Sequence, residues 1–278
     1  MGKLFCFLSA ALLVTACNNS KPVNNVKNAT DPEPGKMIVV LCDVSNSLSR
    51  RSVAGKPELK SKLPQIKDYC RQILRSAGGG TRVIFYPVSS LVAPDKLCDF
   101  RANQVNENQW PGEKERIKKA CNQLDSLIDS AAANAERSTC LQTSINHAYT
   151  ILRTERQSNP ANAGPELYVI SDMFEECSES KNGDVHMHTE DGAPLLKELV
   201  LKRLLSASQN ADFDKYNIGL TILYVSTSSK PAVTDTIDSV WRVVFTNMHF
   251  AKAADQQTTL LKTDVALKPR KEYRNREE

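Results

Sequence analysis

Two hydrophobic patterns alternate along this 278-residue chain: short unbroken apolar runs, and longer stretches with apolar residues at helical spacing. Residues 36–42 form such a run, ending at Asp43, as expected of a strand buried on both faces. Residues 57–77 place Leu59, Leu63, Ile66, Tyr69, Ile73 and Leu74 on one helical face, with Gly78-Gly79-Gly80 as the closing cap. Residues 81–88 read as a second strand, β-branched and aromatic. A cysteine-bearing loop follows, then helices over 112–135 and 143–156. Residues 166–171 are a third buried strand, again ending in an aspartate, Asp172. A helix over 195–207, a fourth strand over 217–225 and a last helix over 231–245 complete the pattern. Strands separated by helices predict parallel pairing, hence an α/β fold with a doubly wound, mostly parallel central sheet covered by helices on both faces. The domain is expected over 36–250. From residue 251 the chain turns polar, and 251–278 reads as a solvated tail.

The start of the chain follows a different rule. Met1-Gly-Lys3 gives a positive start, residues 4–14 are apolar, and Thr15-Ala16 are small residues before Cys17. This is the layout of a secretory signal over 1–16, which is left out of the fold. The segment resembles a bacterial lipobox, and that resemblance implies that Cys17 becomes the lipidated first residue of the mature chain. The expected protein is then anchored to a membrane rather than spanning it. The apolar stretch 4–16 is also short of the roughly 20 residues a membrane-crossing helix needs. Residues 17–35, rich in Asn, Lys, Pro and Thr, read as a flexible tether.

Composition adds exclusions. Lysine and arginine number 36 against 32 acids, a surplus of +4, with no concentrated basic face to suit a nucleic-acid binder. Aromatics at 6% offer little for sugar or base stacking. Setting aside Cys6 and Cys17 leaves Cys42, Cys70, Cys98, Cys121, Cys140 and Cys177. An even set in an exported chain predicts at least one disulfide, with the connectivity open. Cys42, inside an apolar strand, reads equally well as a buried free thiol.

Ligands of an open α/β sheet bind outside the carboxyl ends of its strands. Asp43, Ser45 and Ser47 follow the first strand, Thr143 opens a helix and Asp172 ends the third strand. All five offer oxygen donors, which hard divalent cations such as magnesium favour. The set resembles the metal ion-dependent adhesion site of von Willebrand factor type A domains, the fold also found in integrin I domains: D-x-S-x-S, then T, then D. That resemblance covers roughly residues 36–250. It implies that Ser45 and Ser47 bind the cation directly, Thr143 directly or through water, and Asp43 and Asp172 largely through water. The cation would be magnesium, with manganese or calcium as alternatives. It would seek an Asp or Glu carboxylate from a partner protein to complete its shell.

Some residues depart from the family pattern. Cys140-Leu141-Gln142 stands where the family often has glycines, and Met173-Phe174-Glu175-Glu176-Cys177 follows Asp172 where glycine is common. Glu175 and Glu176 either surround the site with more negative charge or fill its open position. Because Cys140 and Cys177 flank the two late loops, a disulfide between them is expected.

His186 and His188 lie in a polar loop and read as solvated, while His147 and His249 show no partner. No phosphate-cradling glycine motif is present. The expected function is divalent-cation-dependent binding of a partner protein by a lipid-anchored, extracytoplasmic protein of the bacterial envelope, without catalysis. Two rivals use the same residues: a magnesium-dependent phosphohydrolase built on Asp43 and Asp172, and a structural envelope scaffold with a degenerate metal site.

Overall fold

The computed structural model describes residues 35–45, 48, 61–88, 95–135, 139–177, 185–186, 197–208, 210–226, 231–254 and 260–262. The signal segment, Cys17, the tether up to residue 34, Ser47 and His188 lie outside the described residues, as does the side chain of Glu176.

Strand β1 (Met37–Cys42) is buried along its whole length. Helix α1 (Leu63–Ser76) buries Ile66, Tyr69, Cys70, Ile73 and Leu74. It does not reach back through Ser61 and Lys62 as the apolar spacing suggests. Lys62 is its N-cap and Pro64 lies in its first turn, where a missing N–H costs no helical bond. Strand β2 (Arg82–Pro87) follows. The expected cysteine-bearing loop instead contains a strand, β3 (Cys98–Arg101), in which Phe100 alone is buried. With so little apolar alternation the strand is invisible in the sequence; it is held by pairing with β2 and by the Arg82–Asp99 ion pair across the two strands.

Helix α2 (Trp110–Ala133) begins with a buried tryptophan, slightly ahead of its predicted start. Helix α3 (Leu141–Ser158) also starts early, so Thr143 lies within its first turn. Strand β4 (Glu166–Ser171) matches its predicted span. A short hairpin, β5 (Glu176–Cys177) and β6 (Val185–His186), then sets His186 opposite Glu176, where the sequence suggested an open loop. Helix α4 (Lys197–Ala207), strand β7 (Gly219–Tyr224) and helix α5 (Pro231–Asn247) follow. The stretch read as a polar tail contributes helix α6 (Ala251–Ala254) and strand β8 (Leu261–Lys262). Its polar majority hides Leu260 and Leu261, which are buried as β8 pairs with β7.

Among the described residues the main sheet has six strands in the order β3-β2-β1-β4-β7-β8. All neighbours are parallel except β2 and β3. Alternate residues of β1 enter two separate cores. Met37, Val39 and Leu41 pack with α3 and α5 through Leu141, Ile145, Leu152, Trp241 and Phe245. Ile38, Val40 and Cys42 pack with α1 and α2 through Ile66, Cys70, Ile73, Ile117 and Leu124. The fold is therefore a doubly wound α/β sandwich of three layers, as the alternating pattern predicts.

The triple glycine is not a helix cap. Helix α1 ends at Ser76, with Ala77 at its C-cap at φ −62°. The glycines instead make the turn into β2, where Gly80 sits at φ +81° and its N–H donates to the Ala102 carbonyl at 2.8 Å. Gly80→Ala should cost about 1–2 kcal/mol, the strain of a left-handed residue bearing a Cβ, read as a lower urea midpoint with an unchanged slope. An unchanged midpoint would mean the turn can rearrange. His147 does have a partner: its ring meets Tyr86 edge-on at 5.6 Å. His249 also lies at positive φ (53°), in the turn after α5, and its carbonyl accepts the Asp214 N–H at 3.1 Å.

Candidate functional site

In the strand order, the chain leaves β1 toward β2 and β3 on one side and returns to β4 on the other. The switch point lies between the carboxyl ends of β1 and β4, the usual ligand position of such sheets. Asp43 and Asp172 stand there, one residue beyond β1 and β4 respectively. The parallel register places Cys42 beside Ile170, and the Asp43 N–H donates to the Ile170 carbonyl at 2.9 Å.

The Asp43 carboxylate ties the two strand ends together. Its Oδ1 accepts the Ser45 N–H at 3.0 Å, closing a local turn that shapes the first loop. Its Oδ2 accepts the Ser171 hydroxyl at 2.7 Å. Ser171 Oγ in turn accepts the Met173 N–H at 2.8 Å, and Asp172 Oδ1 accepts the Phe174 N–H at 3.2 Å. Met173 is at φ +61°, a left-handed turn that sends the chain back over the strand end. Its carbonyl accepts the Trp241 indole N–H from α5 at 2.8 Å.

The same loop then reaches α3. Glu175 Oε2 accepts the Gln142 N–H at 2.9 Å, and the carboxyl also takes the Leu141 backbone N–H. A carboxylate is a natural partner for these first N–H groups, which have no helical acceptor. Cys140 and Cys177 form the expected disulfide, with Cα atoms 4.7 Å apart. The loop after β4 is thus fixed to the start of the helix that carries Thr143.

Electrostatics mark this edge as crowded with acid. Asp43, Asp172 and Glu175 are 0%, 1% and 2% exposed. Burial pushes the Glu175 carboxyl up to about 8 against the pull of its two backbone N–H donors, and the charge of Asp43 adds to the rise. Burial also raises the Tyr224 phenol at the end of β7, with the charge of Asp172 acting in the same direction.

Asp43, Ser45 and Asp172 are therefore gathered at the switch point, and Thr143 is half-buried in the helix turn tied to the same loop. Ser47 and the Glu176 side chain lie outside the described residues. Ser171 is a site residue that motif reading missed. Nothing in its sequence context distinguishes it from the other inward residues of β4, and its role appears only when the strands are side by side. Gln142, also missed, is buried, and its side-chain Oε1 has no hydrogen-bond partner among the described residues.

The donors suit a hard cation. A carboxylate can accept more hydrogen bonds or ligands than the two Asp43 already takes, and a dication would offset the charges of Asp43 and Asp172 that act at this edge. Among the described residues, no group of three or more His, Cys, Asp or Glu side chains is arranged to hold a metal. A cation here would therefore have to use the hydroxyls of Ser45 and Thr143 together with Asp43 and Asp172.

No family model matches the chain, and no curated protein matches it. Among solved structures, it matches the conserved hypothetical protein BatB from Bacteroides thetaiotaomicron at 14% identity and a TM-score of 0.33, over 80% of this chain and 100% of that one. A von Willebrand factor type A structure from Catenulispora acidiphila matches at 11% identity and a TM-score of 0.35, over 77% of this chain and 43% of that one. The vWF domain of the type V pili tip protein Mfa5 from Porphyromonas gingivalis matches at 10% identity and a TM-score of 0.35, over 84% of this chain and 98% of that one. The architecture of the present chain rests on its own strand order and its two cores.

Proposed function

We propose that the chain is a von Willebrand A-like binding module that holds a divalent cation at Asp43, Ser45, Ser47, Thr143 and Asp172. Magnesium is the first candidate, with manganese or calcium as alternatives. The observation that supports this best is the Asp43–Ser171 hydrogen bond of 2.7 Å. It joins the ends of β1 and β4 at the switch point, directly beside Asp172.

A dication bound largely by neutral hydroxyls keeps enough charge to attract an outside carboxylate. The protein's own residues prepare the place. Asp43 holds the first loop in its turn through the Ser45 N–H. The Cys140–Cys177 bond and Glu175 fix the start of α3. Glu175 is engaged by the helix, and an Asp or Glu of a partner protein would complete the shell of the cation. The signal layout and Cys17 support a lipid anchor that would hold this module on the extracytoplasmic side of a bacterial membrane. No helix among the described residues is long and apolar enough to cross a membrane.

The phosphohydrolase reading fits less well. It asks Asp43 to attack or to meet a phosphoester, whereas Asp43 is fully buried and both its oxygens accept hydrogen bonds.

The test is a cation-dependent melting curve. At magnesium about 100-fold above its dissociation constant, the wild-type chain should gain roughly 3 kcal/mol of stability. Asp43→Ala combined with Ser45→Ala should gain none. An equal gain in both would refute the site, and no gain in the wild type would leave a scaffold with a degenerate site.

A further inference from the structure

We propose that Cys42 and Cys70 are a second disulfide pair, clamping the last residue of β1 to the middle of α1. Their sulfurs lie 3.4 Å apart. Both residues are fully buried in the core between the sheet and α1. One sits on a strand and the other on a helix packed against it, so the two side chains are held facing each other by rigid elements. A disulfide bond spans about 2.05 Å. Forming the bond brings the sulfurs from 3.4 Å to that length.

The pairing has a consequence for the fold. Cys42 immediately precedes Asp43, so the bond would fasten the base of the first loop of the acidic edge. It would also close a loop over residues 43–69, reducing the freedom of the unfolded chain across that segment. The inference is independent of the cation reading, because it concerns the opposite core and requires no metal.

The timing follows from burial. In the closed core, desolvation and the neighbouring Cys42 thiol keep the proton on Cys70, and a thiol is a far weaker nucleophile than a thiolate. The bond therefore forms while α1 is still open, by exchange with a disulfide-bearing oxidant. The Cys42 thiolate attacks one sulfur of oxidised glutathione, forming a mixed disulfide and releasing one glutathione thiolate. The Cys70 thiolate then attacks the Cys42 sulfur and expels the second. Two protein thiols are oxidised, two glutathiones are reduced, and the two protons pass from the cysteines to the released glutathione.

The full chain, unfolded under reducing conditions, is refolded in oxidised and reduced glutathione, then denatured, alkylated and mapped by protease digestion. The expected result is a Cys42 peptide crosslinked to a Cys70 peptide, alongside the Cys140–Cys177 link. Alkylation of Cys42 or Cys70 as free thiols would overturn the proposal. So would a crosslink from either one to Cys98 or Cys121, the other free thiols on this face. A second readout compares melting with and without reductant. Reduction should lower the melting temperature of the wild type more than that of Cys42→Ala combined with Cys70→Ala, which keeps only the Cys140–Cys177 bond. An equal drop in both proteins would also count against the pair. Neither readout involves magnesium, so failure here and failure of the cation site can be told apart.

Discussion

Trp241→Ala should destabilise the chain by about 3–5 kcal/mol, the range for emptying a large aromatic site in a packed core. Trp241 is fully buried on α5, stacked at 5.5 Å against Phe245, and belongs to the core that includes Val39, Leu41, Val169 and Ile222. It also has a second task. Its indole N–H is the donor that holds the Met173 carbonyl, and Met173 is the left-handed residue that turns the chain after Asp172. Trp241→Phe separates the two roles. Phenylalanine keeps most of the apolar contact but leaves a buried carbonyl without its donor, a loss of about 1–3 kcal/mol. Urea unfolding should rank wild type, Trp241→Phe and Trp241→Ala in falling stability. The phenylalanine variant should also need more magnesium for its thermal shift, because the loop carrying Asp172 is less well fixed. A phenylalanine variant as stable as the wild type would show that the indole bond does not restrain that loop.

The parts of this structure that were visible in the sequence are those where one local pattern had a single physical meaning. The runs at 36–42 and 166–171 are apolar without a break because both faces of β1 and β4 are covered, and their ends place Asp43 and Asp172 at the switch point. The pairing of Cys140 with Cys177 followed from their positions beside the two late loops. The parts that were not visible depend on neighbours distant in the chain. Strand β3 has one buried residue and exists because β2 offers an edge. Strand β8 rests on Leu260 and Leu261 within a polar stretch. Ser171 matters because the Asp43 carboxylate lies across from it, and Trp241 because of a carbonyl 68 residues away in sequence. The start of α1 departs from the apolar spacing, which carries on past the place where Pro64 and the Lys62 cap begin the helix. In the sequence Glu175 is an acid able to add charge or to block the site. Its engagement by the first N–H groups of α3 became readable only once the helix start and the loop after β4 were seen together.

Glu175→Gln should remove most of the pH dependence of stability between mild acid and mild alkali. The carboxyl has an ordinary value of 4.5 in the unfolded chain and is pushed up to about 8 in the fold, first by burial. Two backbone N–H donors favour the ionised form, but they do not outweigh the loss of water around a fully buried acid. A group whose value rises on folding binds its proton more tightly in the native state. Its stabilising contribution is complete below pH 4.5 and is lost as pH rises toward 8. Each unit of separation is worth about 1.4 kcal/mol, so the loss across this window is on the order of 4 kcal/mol. Glutamine has the same shape and keeps a carbonyl oxygen for the Gln142 and Leu141 N–H groups, yet it carries no proton to lose. In metal-free buffer the wild type should therefore melt progressively lower from about pH 5 to about pH 8. The glutamine variant should stay nearly level over the same range and exceed the wild type at the alkaline end. Parallel melting profiles for the two proteins would mean that Glu175 is ionised in the native state throughout. An ionised Glu175 would then stand beside the charge of Asp43 and strengthen the pull of that edge on a cation.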